Sequence, residues 1–255
     1  MDQVWSIRYA RRLFRDHLAM QRWWPRGPSL LSAEAFRGRR IILIGPADTV
    51  LEDLADTNVD DYDYVIRFNN GIELSKRHPE IMGCRTDILF HNLRETGERS
   101  AGAIPGSYLN ENGVKLVVYP HWRTSRLRNL YLKKRAVLAR EGGPPIKLLP
   151  PLEMRQLRAD LGDRAPTIGT CASLFFLASP AAEVALHGFT FFETAYVLGY
   201  NGAVKNAADA RAWVDQGGAH EPLSEKTLLR HRLKESDVAK VVLGTNVRRY
   251  LYADR

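Results

Sequence analysis

The chain has 255 residues with 45% hydrophobic and 26% charged side chains, a formal net charge of +8 and an isoelectric point near 9.6. This length is enough for a full hydrophobic core, and the composition is ordinary for a soluble globular enzyme. The sequence has no run of eighteen apolar residues, arginines interrupt each apolar stretch near the N-terminus, and only two cysteines are present. These features argue against a membrane span, a secretory signal and a disulfide framework, and they predict a cytoplasmic protein.

The positive charge is concentrated in two segments. Residues 1–40 contain nine arginines and three acidic residues, and residues 121–140 contain no acidic residue. This imbalance indicates an acidic partner, either nucleic acid, an anionic membrane or a phosphorylated substrate. The second segment either contacts an anionic acceptor or lipid, or is the solvated face of a helix.

The N-terminal segment is predicted to be separate from the main domain. Residues 2–24 have the spacing of a helix with aromatic residues on one side and arginines on the other. This helix either packs on the domain or lies on an anionic membrane through residues 1–24, which would place the protein at the inner membrane face. The predicted division is therefore a helix and linker over residues 1–32 and a single domain over residues 33–255.

Strand-like and helix-like segments alternate from residue 41 onward. Apolar residues 41–44 precede Gly45 and Pro46, and a helix-like segment follows. The turn has neither the G-x-G-x-x-G pattern of dinucleotide-binding proteins nor the P-loop pattern. Further strand-like segments occupy residues 62–68, 86–92, 115–120, 146–150 and 183–189. The alternation predicts an α/β fold with a mostly parallel sheet, helices on both faces and ligands at the carboxyl ends of the strands.

Polar residues lie where several of these strands end. Asn69 and Asn92 are at two strand ends, and an amide can both donate hydrogen bonds to a nucleotide and accept them. Alternatively, both asparagines only form turns. Thr167-Ile168-Gly169 opens a predicted buried helix, whose first backbone N–H groups can hold ribose or phosphate oxygens, although Thr167 can also be a simple N-cap.

His220 lies between two glycines and a predicted helix that starts near Pro222. A histidine in this position can be an exposed residue, a metal ligand or a catalytic base, and a pKa near neutrality suits the last role. Glu225 lies about one turn into the predicted helix, where it can orient the loop or cap the N-terminus of that helix.

Three stretches in chain order resemble the sialyl motifs of the sialyltransferases of glycosyltransferase family 29. Residues 39–71, continued by 83–93, are similar to the large motif, residues 165–189 to the small motif, and His220 with Glu225 to the very small motif. The resemblance implies a Rossmann-like modified GT-A fold and an inverting transfer from a CMP-sugar, usually CMP-sialic acid, to a glycan or glycolipid hydroxyl. It implies no metal or other cofactor.

The same resemblance implies roles for individual residues. His220 would take the proton of the acceptor hydroxyl, with Glu225 in support. Pro46 stands where the family usually has an asparagine, and Tyr200 lies in the place of a His/Tyr-rich third motif. The implied donor-binding set is Gly45, Pro46, Asn69, Asn92, Thr167, Ile168, Gly169, His187, Gly188 and Tyr200.

Two other features are interpreted as structural. Asp61 and Asp63 resemble the Asp-x-Asp metal site of many nucleotide-sugar transferases, but they precede their strand, which we expect to start at Tyr64. They would then lie at the wrong edge of the sheet, so no metal is expected. Cys171 lies in an apolar helix and is expected to be a buried thiol.

Two alternative functions remain open. CMP-Kdo has the same keto-acid carboxylate at its anomeric centre as CMP-sialic acid, so the protein could transfer Kdo to a surface glycan or glycolipid. A non-enzymatic protein that binds membranes or nucleic acid through its basic segments would explain the charge. It would not explain the ordered motifs, so no nucleic-acid partner is expected.

Overall fold

The computed structural model describes residues 29–253, and within them seven strands form one sheet. Every strand is parallel to its neighbours, in the order β5-β4-β3-β2-β1-β6-β7. The strands are β1 Arg40–Ile44, β2 Tyr64–Phe68, β3 Ile88–Phe90, β4 Leu116–Tyr119, β5 Ile146–Leu148, β6 Glu183–His187 and β7 Lys240–Leu243. The predicted α/β class and parallel sheet are confirmed, whereas β7 was not predicted.

Helices connect the strands and cover the sheet. They are α1 Val50–Leu54, α2 Gly71–Arg77, α3 Pro79–Met82, α4 Gly106–Glu111, α5 Ser125–Arg140, α6 Pro151–Asp160, α7 Ile168–Leu177, α8 Ala207–Gly217, α9 Pro222–Lys234 and α10 Thr245–Tyr252. None of the helices in residues 29–253 has the length and apolar character needed to cross a membrane.

Strand β1 shows why the sheet is buried on both faces. Ile41 and Leu43 pack in one apolar cluster with residues of α7, and Ile42 and Ile44 pack in another with residues of α1. Because side chains alternate along a strand, an uninterrupted apolar segment requires cover on both sides of the sheet. The prediction of helices on both faces is therefore confirmed.

The strand order creates a crevice between β1 and β6. The chain winds outward from β1 to β5 and then returns to the other side of β1. In open α/β sheets, ligands bind outside the carboxyl ends of the strands at such a reversal. The two strand ends touch there: a Cβ on Gly45 would lie 2.3 Å from the Gly188 carbonyl oxygen. Only glycine permits this approach.

The predicted membrane-binding helix of residues 1–24 lies outside the described residues, as does the first half of the predicted linker. Leu31, near the end of that linker, is buried, and its N–H donates to the Leu148 carbonyl oxygen at 2.8 Å. The chain thus packs against β5 two residues before the predicted start of the domain. The assignment of residues 33–255 to one domain stays a prediction.

Candidate active site

A cavity of about 1200 Å³ opens at the carboxyl edge of the sheet. Its wall includes residues that follow five different strands: Pro46 after β1, Asn69 after β2, Asn92 after β3, His121 after β4 and Gly188 after β6. Because the strands are parallel, their carboxyl ends bring these distant parts of the chain to one place. The cavity therefore has the position expected of a ligand site.

Asn69 connects two other predicted donor-binding residues. Its φ of +48° is a left-handed conformation that asparagine tolerates better than most residues. The Asn69 Nδ2 group donates to the Tyr200 hydroxyl at 3.3 Å, and Oδ1 accepts from the Asn92 backbone N–H at 3.1 Å. Burial raises the pKa of Tyr200 to about 12, so its hydroxyl stays protonated. The three residues form one polar cluster in the cavity wall.

The N-terminus of α7 faces the same cavity. The Thr167 hydroxyl accepts from the Thr170 N–H at 3.2 Å, so Thr167 is an N-cap as well as a residue of the wall. Ile168 and Gly169 continue the wall, and the Phe189 ring packs so closely that a Cβ on Gly169 would lie 2.9 Å from it. Backbone N–H groups at a helix N-terminus attract negative charge, so this turn can stabilise an anionic group.

Glu225 holds the first turn of α7. Its carboxylate accepts from the Thr167 N–H at 3.0 Å, from the Thr167 hydroxyl at 2.6 Å and from the Thr170 hydroxyl. Burial raises the pKa of Glu225 to about 7, and the hydrogen bonds from both threonines oppose that rise. One role predicted for Glu225 was to cap the N-terminus of its own helix. This role is corrected, because α9 begins without a side-chain cap. Glu225 instead acts on α7, since the two helices pack together.

His220 lies in the connection between α8 and α9, where Gly218 turns the chain with a φ of +59°. Its Nδ1 atom lies 2.7 Å from the Ala165 carbonyl oxygen. Since a carbonyl oxygen can only accept, Nδ1 carries the hydrogen and Nε2 has a lone pair. Burial lowers the pKa of His220 despite the Ala165 contact, and the charges of Arg99 and Arg94 lower it further. The imidazole is therefore neutral at pH 7 and can accept a proton.

Two predicted donor-binding residues do not line the cavity. Pro46 and Gly188 are in the wall, but Gly45 and His187 are not. The His187 side chain is buried on the α1 side of the sheet, where its Nδ1 lies 2.9 Å from the Asp53 carbonyl oxygen. The prediction that His187 contacts the nucleotide is thus corrected. Gly45 allows the ends of β1 and β6 to touch and does not line the cavity.

His121 is a cavity residue that the sequence analysis did not single out. Its ring centroid lies 6.4 Å from that of His220. Burial lowers the pKa of His121 to about 3, with further lowering by His220, Arg158 and Arg94, so this histidine is neutral. The sequence signal for His121 is its position directly after the strand predicted at 115–120, the kind of position that also indicated Asn69 and Asn92.

Arg99 was also missed, together with Trp213 of α8. The Arg99 guanidinium lies 4.5 Å from the Trp213 ring centroid and donates to the Trp213 carbonyl oxygen at 2.7 Å. The Arg99 carbonyl oxygen in turn accepts from Asn92 Nδ2 at 3.4 Å. The Arg99 side chain thus lies in the cavity wall and is held by Trp213, where its charge can stabilise an anionic ligand.

Asp61 and Asp63 lie at the amino edge of the sheet, just before β2 starts at Tyr64. Asp63 Oδ2 accepts from the Arg40 backbone N–H at 2.8 Å. In the part of the chain that the structure describes, no group of three or more His, Cys, Asp or Glu residues is placed to hold a metal ion. Cys171 is buried, as predicted, and burial raises its pKa well above the ordinary value.

No protein-family model and no curated protein matches the sequence. Solved sialyltransferases nevertheless resemble the structure. A mammalian sialyltransferase in complex with Gal-beta-1-3GalNAc-ortho-nitrophenol has a TM-score of 0.50 and 16% identity, over 89% of this chain and 77% of that one. A variant of the sialyltransferase CST-II in complex with CMP has a TM-score of 0.50 and 14% identity, over 85% of this chain and 89% of that one.

A third similar structure is that of the sialyltransferase CstII from Campylobacter jejuni in complex with the substrate analogue CMP-3FNeuAc. It has a TM-score of 0.48 and 15% identity, over 80% of each chain. At 14–16% identity, the structural similarity establishes the fold. The resemblance to sialyltransferases that the sequence motifs indicated is therefore confirmed for the fold. This chain has the α/β fold of the sialyltransferases.

Proposed function

We propose that the protein is an inverting glycosyltransferase that moves a sialic-acid-type sugar from a CMP-sugar to a hydroxyl of a glycan or glycolipid. The observation that carries this proposal is the 2.7 Å contact between His220 Nδ1 and the Ala165 carbonyl oxygen. The contact leaves Nε2 able to accept a proton in the cavity wall, as a general base must. The CMP bound to the similar CST-II structure supports the choice of nucleotide.

In the proposed reaction, the acceptor oxygen attacks the anomeric carbon on the side opposite the phosphate. The bond between the anomeric carbon and the phosphate oxygen breaks, and CMP leaves with the electron pair. The proton of the acceptor hydroxyl passes to His220 Nε2. One displacement of this kind inverts the anomeric configuration, and the general base contributes a factor of about 10²–10⁴ to the rate.

We assign the donor to the wall formed by the asparagine cluster and the N-terminus of α7. Asn69, Asn92 and Tyr200 offer uncharged donors and acceptors that suit ribose and cytosine. The first turn of α7 suits the phosphate, because its N–H groups bear partial positive charge. Arg94 and Arg99 add positive charge in the same wall, so we propose that the leaving group is stabilised without a divalent cation.

Calorimetric titration of the purified protein with CMP, UMP, GMP and NAD in EDTA tests the donor class. We expect selective binding of CMP, weakened about tenfold or more by Asn69→Ala, because two side-chain contacts of the cluster are lost. Asn129→Ala, at an exposed position of α5, is the matched control and should leave CMP affinity unchanged. Equal binding of the four ligands would exclude a CMP-sugar transferase.

A transfer assay with CMP-sialic acid and CMP-Kdo then identifies the sugar. His220→Ala should lower transfer by about 10²–10⁴ and leave CMP affinity unchanged, since the base acts on the acceptor. His231→Ala, at an exposed position of α9, should have neither effect. If neither sugar is transferred and salt-sensitive binding to random DNA is unaffected by His220→Ala, the non-enzymatic alternative is favoured.

We also propose that residues 1–24 hold the protein on an anionic membrane, where a glycolipid acceptor would be found. The support is the sequence itself, which alternates arginines with tryptophan, tyrosine and leucine at helical spacing. Retention on anionic vesicles should be lost when residues 1–24 are deleted. Unchanged retention would show that this segment is not the membrane contact.

A further inference from the structure

The cavity wall carries an excess of positive charge. It includes five arginines, Arg94, Arg99, Arg123, Arg155 and Arg158, and three acidic residues. The formal net charge of these side chains is +2, which attracts anionic ligands into the cavity.

Arg123 and Arg158, here called the arginine pair, both contact Asp163 in the cavity wall. Arg158 Nη2 donates to the backbone carbonyl oxygen of Asp163 at 2.6 Å, and Arg123 Nη1 lies 3.8 Å from the Asp163 carboxylate. That carboxylate is 81% exposed, so it neutralises the pair only weakly. Burial lowers the pKa of Arg158, and the charge of Arg123 lowers it further, because the two guanidinium groups repel each other.

The arginine pair is close to the residues that hold His220. Arg158 donates to the carbonyl oxygen of Asp163, two residues before Ala165, whose carbonyl oxygen lies 2.7 Å from His220 Nδ1. The charge of Arg158 acts on His121, whose ring is 6.4 Å from the ring of His220. Arg99 is bound to Trp213, and its charge, like that of Arg94, also acts on His220. The phosphate of the proposed donor is assigned to α7, Arg94 and Arg99. The arginine pair is therefore not needed to bind that phosphate.

We propose that the acceptor is itself anionic, and that Arg123 and Arg158 bind its carboxylate or phosphate group while the reacting hydroxyl lies at His220. This inference rests on the proposed transferase function and names its substrate class. A guanidinium binds either group through paired N–H donors, and an anion between the two arginines removes their repulsion. A neutral glycan leaves that repulsion in place and binds more weakly.

The test is calorimetric titration of the full chain, saturated with CMP, with three saccharides. Sialyllactose carries a carboxylate, lactose 6′-phosphate carries a phosphate, and lactose is neutral. We expect one or both anionic saccharides to bind about tenfold or more tightly than lactose, and the double variant Arg123→Gln/Arg158→Gln to lose this preference. Arg126→Gln removes the same charge from an exposed position outside the cavity wall and should retain it.

Equal binding of the three saccharides, or a preference that survives the double substitution, overturns the inference. CMP affinity of the double variant reports whether the cavity is intact; if it falls, the single variants are compared, and each should lose part of the preference. Binding of CMP that depends on Asn69, with equal binding of the saccharides, would leave the proposed transferase and remove only the anionic acceptor. Absence of CMP binding would remove the transferase, and the saccharide preference would still decide whether the arginine pair is an anion site.

Discussion

Glu225 and Thr167 lie 58 residues apart in the chain, and the Glu225 carboxylate accepts hydrogen bonds from both the backbone N–H and the hydroxyl of Thr167. The contact joins α9, which begins two residues after His220, to the first turn of α7. The proposed base and the proposed phosphate-binding turn are therefore fixed relative to each other by one buried side chain.

Glu225→Ala should destabilise the protein, because it leaves the Thr167 N–H and two threonine hydroxyls without their acceptor. The expected loss in the free energy of unfolding is about 3 kcal/mol, and transfer activity should fall with it. Glu225→Gln keeps an acceptor oxygen and nearly the same shape, so it should cost less than half as much. Urea denaturation measures both. Glu221 precedes the same helix, but its side chain makes no capping hydrogen bond. The unfolding free energy of Glu221→Ala should therefore stay within about 0.5 kcal/mol of the wild-type value. Equal losses at positions 225 and 221 would contradict a structural role for Glu225.

The pH dependence of transfer should report His220. Transfer needs the neutral imidazole, so kcat/KM should fall as the pH falls through the pKa of His220. Burial lowers that pKa, which places the acid limb below the ordinary value of 6.5. Arg94→Gln removes a charge that contributes to the lowering, so the limb should move to higher pH, more so at low salt. Arg126→Gln should not move it. An acid limb above 6.5 in the wild type would show that another group limits the rate.

Much of the fold could be predicted from single segments. Residues 41–44 are apolar at every position, which is typical of a strand that is buried on both faces of a sheet. Strand β7 was missed because its short segment, Lys240–Leu243, lies at the edge of the sheet and is only partly buried. Three apolar residues after a charged helix do not distinguish such an edge strand from a loop.

The site was less predictable, because it depends on register and packing. Asn69 and Asn92 could be found because parallel strands bring their carboxyl ends to one edge. His187 was assigned wrongly because it pairs with Ile44, whose side chain packs on the α1 face, and the register between β1 and β6 decides this direction. The Glu225 contact with Thr167 depends on how α7 and α9 pack, which no local pattern encodes.

Gly45→Ala should test whether the crevice between β1 and β6 tolerates a side chain. The added Cβ would lie 2.3 Å from the Gly188 carbonyl oxygen, a backbone atom that cannot move without shifting β6. We expect a loss of about 2–3 kcal/mol in the free energy of unfolding and weaker CMP binding. Gly202→Ala is the matched control, because its Cβ would meet no atom within 4 Å. If both substitutions are equally mild, the two strand ends do not touch as closely as described.

His91 should make the protein less stable in acid. Its Nε2 donates to the Ala101 carbonyl oxygen at 3.3 Å, and its Nδ1 accepts from the Leu93 N–H at 3.0 Å. Protonation of Nδ1 would break the second contact, and burial lowers the pKa of His91 to about 4. As the pH falls below 6.5, the unfolded chain takes up this proton first, so stability falls until about pH 4. Between pH 7 and pH 5 the contribution of His91 is a loss of about 2 kcal/mol.

His91→Gln should therefore have a smaller difference in unfolding free energy between pH 7 and pH 5 than the wild type, whatever its stability at pH 7. Part of the difference should remain, because burial also lowers the pKa values of His121, His187 and His220. His231→Gln, at an exposed position, should keep the full difference. Urea denaturation at the two pH values measures all three proteins. If the unfolding free energy of His91→Gln falls between pH 7 and pH 5 by as much as that of the wild type, His91 is protonated equally in the folded and unfolded chains.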